Sequence, residues 1–112
     1  MHFQENKDEY YPILIDRLYH YIPSFKSVFD RDDGVYPILG EFGCYLLENS
    51  LDTNLLLQST KFINEAYSEG GSETDNAISL QIFEQVAFDE DISKLFSQEL
   101  TEKAVCEFER YL

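Results

Sequence analysis

The sequence predicts an all-α fold, a single compact bundle of about five to seven helices. Three observations predict it. Apolar residues recur at spacings of three and four along most of the chain, instead of alternating. Capping and turn residues interrupt these stretches at short intervals, which makes successive helices antiparallel neighbours. The chain has 112 residues, of which 44% are apolar, enough for one well-filled core but too few for two. With nine Phe and eight Tyr it is no disordered acidic tail, because disorder goes with low hydrophobicity. The stretch from Asp52 to Phe88 has the length of a helical hairpin, so the pattern also admits α-solenoid-like stacking, although no repeat is visible.

Residues 1–7 are expected to fray. Tyr11, Leu14, Ile15, Leu18 and Ile22 then mark a first helix over residues 8–21. Pro12 fits only in its first turn, and Ile22-Pro23 ends it, because the residue before a proline is pushed out of the helical region. A short second helical segment is expected over Ser24 to Phe29. Asp30-Arg31-Asp32-Asp33-Gly34 reads as a turn. Beyond Pro37, residues Ile38, Phe42, Tyr45 and Leu46 form one stripe of a helix that contains Gly40 and Gly43. Each glycine costs about 1 kcal/mol against alanine, so the pair predicts close approach of a neighbouring helix.

Asp52 is placed to cap the next helix, whose apolar face runs through Leu55, Leu56, Phe62, Ile63, Ala66 and Tyr67. Gly70-Gly71 is expected to stop it in the left-handed conformation. Ser72-Glu73-Thr74-Asp75 resembles a capping box opening a helix with Ile78, Ile82, Phe83, Val86 and Ala87 inside. Asp89-Glu90-Asp91 puts negative charge at the start of another short helix, where the dipole favours it. Thr101 then begins a terminal helix that turns Val105, Phe108, Tyr111 and Leu112 inward.

The formal charge is −14, from 22 Asp and Glu against 8 Lys and Arg. Such a surface repels the phosphates of nucleic acid and the anionic face of a membrane, so neither is an expected partner. It attracts a basic protein and speeds the encounter. No apolar run approaches the roughly 20 residues of a membrane span, and the start of the chain lacks a signal-peptide pattern. The expectation is a soluble, unprocessed, cytoplasmic protein. Cys44 and Cys106 lie in apolar runs and are expected to be small buried hydrophobes.

Chemistry has little to stand on. Asp30, Asp32 and Glu41 fall at the first, third and twelfth positions of a calcium-loop register, but Gly34, Val35 and Pro37 break it. His2 sits in the frayed start and His20 near a helix end, and neither cysteine has a local activating motif. Glu-x-x-His metal motifs and a phosphate-binding loop are missing. The pattern points to no catalytic residue, no metal and no cofactor. The carboxylates do better as a binding surface. Asp30, Asp32 and Asp33 form one cluster. Glu69, Glu73 and Asp75 form a second, and Asp89, Glu90 and Asp91 a third, each at a helix connection. Clusters separated by two helices would share one end of the molecule. Tyr36 and Tyr67 lie beside the first two as candidate aromatic anchors.

The stretch Tyr36-Pro37-Ile38-Leu39-Gly40-Glu41-Phe42-Gly43-Cys44-Tyr45-Leu46-Leu47 resembles a family of small acidic helical bacterial proteins. Phe62-Ile63-Asn64-Glu65-Ala66, Asp75-Asn76-Ala77-Ile78 and Ile82-Phe83-Glu84 continue the likeness. These are the immunity proteins of polymorphic toxin and contact-dependent growth inhibition systems. The resemblance implies a stoichiometric complex with a cognate basic toxin domain, such as a nuclease acting on RNA or tRNA, whose active site or substrate surface is covered. It implies no catalytic residue. From the residues alone, a non-enzymatic adaptor for a basic protein partner stands beside this reading.

Overall fold

Every long stretch of the sequence carries a helical apolar period, and the computed structural model, which describes residues 7–112, has no strand among them. The helices are α1 (Leu14–Tyr21), α2 (Val35–Glu48), α3 (Thr53–Glu69), α4 (Ser72–Ile78), α5 (Glu84–Val86), α6 (Glu90–Glu99) and α7 (Glu102–Glu109). A π turn, Ser79–Phe83, joins α4 to α5 with helical backbone at both junctions, so the two form one rod.

Helix α3 is the centre of the bundle and touches α1, α4, α6 and α7. In a solenoid each unit meets only its neighbours, so this is a bundle wrapped around one central helix. Two aromatic groups fill the core. Phe25, Phe42, Tyr45 and Phe62 meet on one side, and Tyr67, Phe83, Phe96 and Phe108 on the other. Tyr67 and Phe83 stack with centroids 5.8 Å apart and planes 5° from parallel.

The close approach foreseen from Gly40 and Gly43 is between α2 and the π turn. A Cβ on Gly43 would lie 2.6 Å from Gln85 Nε2 and 2.9 Å from the Gln81 carbonyl, and one on Gly40 would lie 2.9 Å from Gln81 Oε1. Gln85 Nε2 donates to the carbonyls of Gly40 (2.9 Å) and Gln81 (2.6 Å), while Cys44 Sγ donates to Gln85 Oε1. Tyr36 at the start of α2 and Glu73 at the start of α4 both lie close enough to Tyr11 to act on its phenol, so α2 and the α4–α5 rod run parallel, with their N-termini at the same end.

Local expectations changed where distant contacts outweighed local preference. The first helix begins later than residue 8, as a 3-10 turn (Tyr11–Ile13) that holds Pro12. Residues 24–29 are irregular, not helical. Glu41 takes them up by accepting from Ser27 Oγ (2.9 Å) and the Val28 amide (3.0 Å), and Phe25 is buried. Helix α2 starts at Val35, ahead of Pro37, which sits in its first turn where no intrahelical N–H is needed. Asp52 caps α3 as expected, accepting from the Leu55 amide at 3.1 Å.

The stop at Gly70-Gly71 works by space rather than by left-handed backbone. Gly70 has φ −88°, and a Cβ there would lie 2.6 Å from the Ala66 carbonyl and 2.7 Å from Thr74. No capping box opens α4. Gly71 is its N-cap, and the Thr74 amide donates instead to Asp8 Oδ2 at 2.7 Å, from the far end of the chain. The terminal helix buries Phe108 and Ala104, but Val105 and Tyr111 are half-buried and Leu112 is exposed. Cys44 and Cys106 are exposed too, rather than buried as small hydrophobes. No described helix is long and apolar enough to cross a membrane. Residues 1–6, with His2 and most of the expected frayed start, lie outside the described residues.

Candidate functional site

The three acidic clusters do not share one end. Asp30, Asp32 and Asp33 lead directly into α2, and Glu69, Glu73 and Asp75 surround the turn into α4. Because α2 and the α4–α5 rod are parallel, these two clusters lie at the same end. Asp89, Glu90 and Asp91 open α6 near the start of α3, where Asp91 shares a groove with Leu51 and Thr53. Glu69 closes the other end of α3, about 24 Å away at 1.5 Å per residue.

Within the clusters some carboxylates have internal work. Asp33 Oδ2 accepts from the Asp30 amide at 2.9 Å, and Asp89 Oδ1 caps α6 by accepting from the Ile92 amide at 3.0 Å. Asp30, Asp32, Asp33, Glu69, Glu73, Glu90 and Asp91 are exposed, whereas Asp75 and Asp89 are half-buried. Each arginine is paired within the chain: Arg17 with Glu65, Arg31 with Asp16, and Arg110 with Glu107. Arg31 therefore lies among the first cluster yet is directed at α1, where it also covers the Tyr19 ring.

The two proposed aromatic anchors part company. Tyr67 is buried, stacked on Phe83, with its hydroxyl 2.8 Å from Ser79 Oγ and 3.3 Å from the Asp75 carbonyl. It is a core residue, because it lies on the inner stripe of α3, and it cannot anchor a partner. Tyr36 is half-buried at the acidic end. Tyr11, also half-buried, joins it there. Burial raises the Tyr11 phenol pKa, and the nearby Tyr36, Glu73 and Asp8 raise it further. Sequence spacing could not find Asp8 or Tyr11, since they reach this end only through the Asp8–Thr74 bond. Burial disfavours the Asp8 carboxylate, but the amides of Thr74, Gly71 and Tyr11 outweigh it and lower its pKa.

Beside this end, α4 and α7 enclose a groove of about 460 Å³ lined by Ser72, Asp75, Asn76, Ser79, Leu80, Glu107, Arg110 and Tyr111. Asp75 Oδ1 is closed off from solvent and has no hydrogen-bond partner. Lys103 Nζ lies 3.8 Å from Asp75 Oδ2, too far for a hydrogen bond, and donates instead to the Tyr67 carbonyl at 2.9 Å. Burial raises the Asp75 pKa; Lys103 lowers it, and the charges of Asp8 and Glu107 raise it again.

A second constellation escaped the sequence reading. Glu65 on α3 accepts from Tyr10 Oη (2.8 Å), Arg17 Nε (2.7 Å), Arg17 Nη2 (2.8 Å) and Tyr21 Oη (2.9 Å). The Arg17 bonds lower its pKa to about 2 against the cost of burial, helped by the two tyrosines. All its strong acceptor positions are filled, so it fastens α1 to α3. Likewise Asn64 binds the Glu99 carbonyl and the Thr101 amide, closing the α6–α7 turn. The calcium-loop register does not assemble: Glu41 is directed at Ser27 and Val28. Among the described residues no group of three or more His, Cys, Asp or Glu is arranged to hold a metal. His20 is exposed beside the Tyr21 ring.

No family model, curated protein or solved structure matches the chain.

Proposed function

We propose that this chain is an immunity protein, which binds a basic toxin domain, a nuclease, in a stoichiometric complex and covers its active site or substrate surface. The observation that carries the reading is the surplus of carboxylate at one end of the bundle. Asp30, Asp32, Asp33, Glu69 and Glu73 are exposed there, around Tyr11 and Tyr36, while every arginine of the chain is committed to an internal carboxylate. The charge of −14 and the resemblance of the α2 segment to immunity proteins support the same reading.

The mechanism follows from the chemistry of the target. A nuclease holds its substrate through Lys and Arg aimed at phosphates, an interaction that supplies most of its nucleic-acid affinity. Exposed carboxylates occupy the same cations, and the half-buried tyrosines supply contact area inside the charged rim. Long-range attraction brings the two proteins together before the toxin finds a nucleic acid.

The test is to look for a basic toxin domain encoded beside the gene, as this reading expects, and to co-express it. The native chain restores growth, and a variant carrying D30N, D32N, D33N, E69Q and E73Q loses protection while keeping its helical circular dichroism. Failure of the native chain to protect would overturn the reading. Recovery of a basic host protein instead would replace it with an adaptor.

A further inference from the structure

We infer that Val28 and Phe29 are the apolar anchors by which the acidic end holds a basic protein. The two side chains enter an apolar depression in the partner's surface, and cations around that depression pair with Asp30, Asp32 and Asp33. This deepens the proposed capture of a basic protein and rests on that reading.

The loop that carries them is fastened in a shape that leaves both outside. Four successive amides have acceptors: Ser27 donates to Tyr19 Oη at 3.3 Å, Val28 to Glu41 Oε1 at 3.0 Å, Phe29 to Ser27 Oγ at 2.9 Å and Asp30 to Asp33 Oδ2 at 2.9 Å. Ser27 Oγ in turn donates to Glu41, and the buried Phe25 fixes the start of the loop in the core. Yet Val28 is 87% exposed and Phe29 42%. Single apolar side chains on a surface need no explanation. Two side by side on a pinned backbone are a contact surface already in its bound shape, which spares the ordering cost of docking. Leu51 and Phe88 are as exposed, but they sit on separate connections at the far end, where Lys94 lines the same groove as Asp91.

The neighbouring charge identifies the occupant. Whatever covers Val28 and Phe29 also crowds Asp30, Asp32 and Asp33, which follow directly and are exposed. Taking carboxylates out of water is costly unless the partner brings cations to them. The two nearest cations of the chain are directed elsewhere. Arg31 is paired with Asp16 and covers Tyr19, and Lys26 lines a groove with Glu41, Cys44 and Glu48 on the side of α2. A nucleic acid or an anionic membrane would add negative charge, and a second copy would set the same aspartates against one another. A basic protein with an apolar depression satisfies both parts of the surface. Charge then sets the speed of encounter, and the buried anchors set the time of residence.

The probes are two acetylated, amidated peptides of equal charge, one of four Lys-Leu repeats and one of four Lys-Ser repeats. Each is titrated at low salt against the labelled protein and followed by amide chemical shifts. The Lys-Leu peptide should bind at least tenfold more tightly, with its largest shifts at residues 27–33. V28S/F29S should remove that preference while keeping the native thermal midpoint. D30N/D32N should weaken both peptides, and L51S/F88S at the far end should change neither. Should the double variant lose its fold, Val28→Ser alone, at the more exposed position, carries the same test with a smaller loss. Equal binding of the two peptides, an unchanged preference in both Val28 variants, undiminished binding in D30N/D32N, or shifts centred on residues 49–52 and 87–91 would overturn the inference. If both Val28 variants protect cells from the toxin at native strength, the anchor assignment fails and the capture of a basic protein stands. If the native chain prefers the Lys-Leu peptide through this loop but gives no protection, the toxin reading fails on its own.

Discussion

Glu65 is the clearest case of one side chain determining how two helices meet. Its two oxygens take four hydrogen bonds from Tyr10, Arg17 and Tyr21, which lowers its pKa from 4.5 to about 2. A depressed carboxylate pKa stabilises the fold above the unfolded value and loses that contribution as the pH falls through the folded one. Stability should therefore drop between about pH 4.5 and 2. In Glu65→Gln the denaturation midpoint at pH 7 should fall, and the drop over that acid window should shrink, as urea titrations across pH would measure. Asp75 has the opposite sign. Its pKa is raised by burial, so its carboxylate weakens the fold as the pH rises through and above its ordinary value. Asp75→Asn should raise the thermal midpoint at neutral pH, as scanning calorimetry would measure. Neither role was legible beforehand. Glu65 looked like any other carboxylate, because its three partners lie 44 to 55 positions away.

At the scale of elements, most of the helices could be read, because apolar period, caps and glycines are local signals. Asp52 caps where it was expected to cap, and α6 opens at Asp89-Glu90-Asp91, where negative charge marked a helix start. What could not be read was help from elsewhere in the chain. Helix α4 receives its cap from Asp8, and the loop at residues 24–29 takes its shape from Glu41. Asp8→Ala should destabilise the protein by about 1 kcal/mol, the usual worth of a lost N-cap, measured by urea denaturation. The glycines of α2 give a sharper contrast. At Gly43 a methyl group meets the Gln81 backbone as well as the Gln85 side chain, so Gly43→Ala should cost about 1–3 kcal/mol by forcing α2 from the π turn. At Gly40 the methyl meets only the flexible end of Gln81, and the gain in helix propensity, about 1 kcal/mol, should leave Gly40→Ala near neutral or stabilised. Equal losses at both positions would mean that the parallel packing is looser than these distances imply.

For the whole molecule, the total charge was plain from composition, but its direction was not. Parallel packing of α2 with the α4–α5 rod brings two acidic clusters to one end, and the length of α3 carries the third to the other. Burial of Tyr67 leaves Tyr36, joined by Tyr11, as the aromatic surface of the acidic end. About 24 Å of α3 separates the two ends, so they can be neutralised separately. The most direct test of the account is stopped-flow association with a basic nuclease domain of the kind proposed as the partner, across ionic strength. The native chain should bind fast at low salt and slow steeply as salt rises. The D30N/D32N/D33N/E69Q/E73Q variant should associate at least tenfold more slowly at low salt, with a flattened salt dependence, and E90Q/D91N should stay close to native. Association that is indifferent to salt, or equally slowed by neutralising either end, would contradict capture through the acidic end.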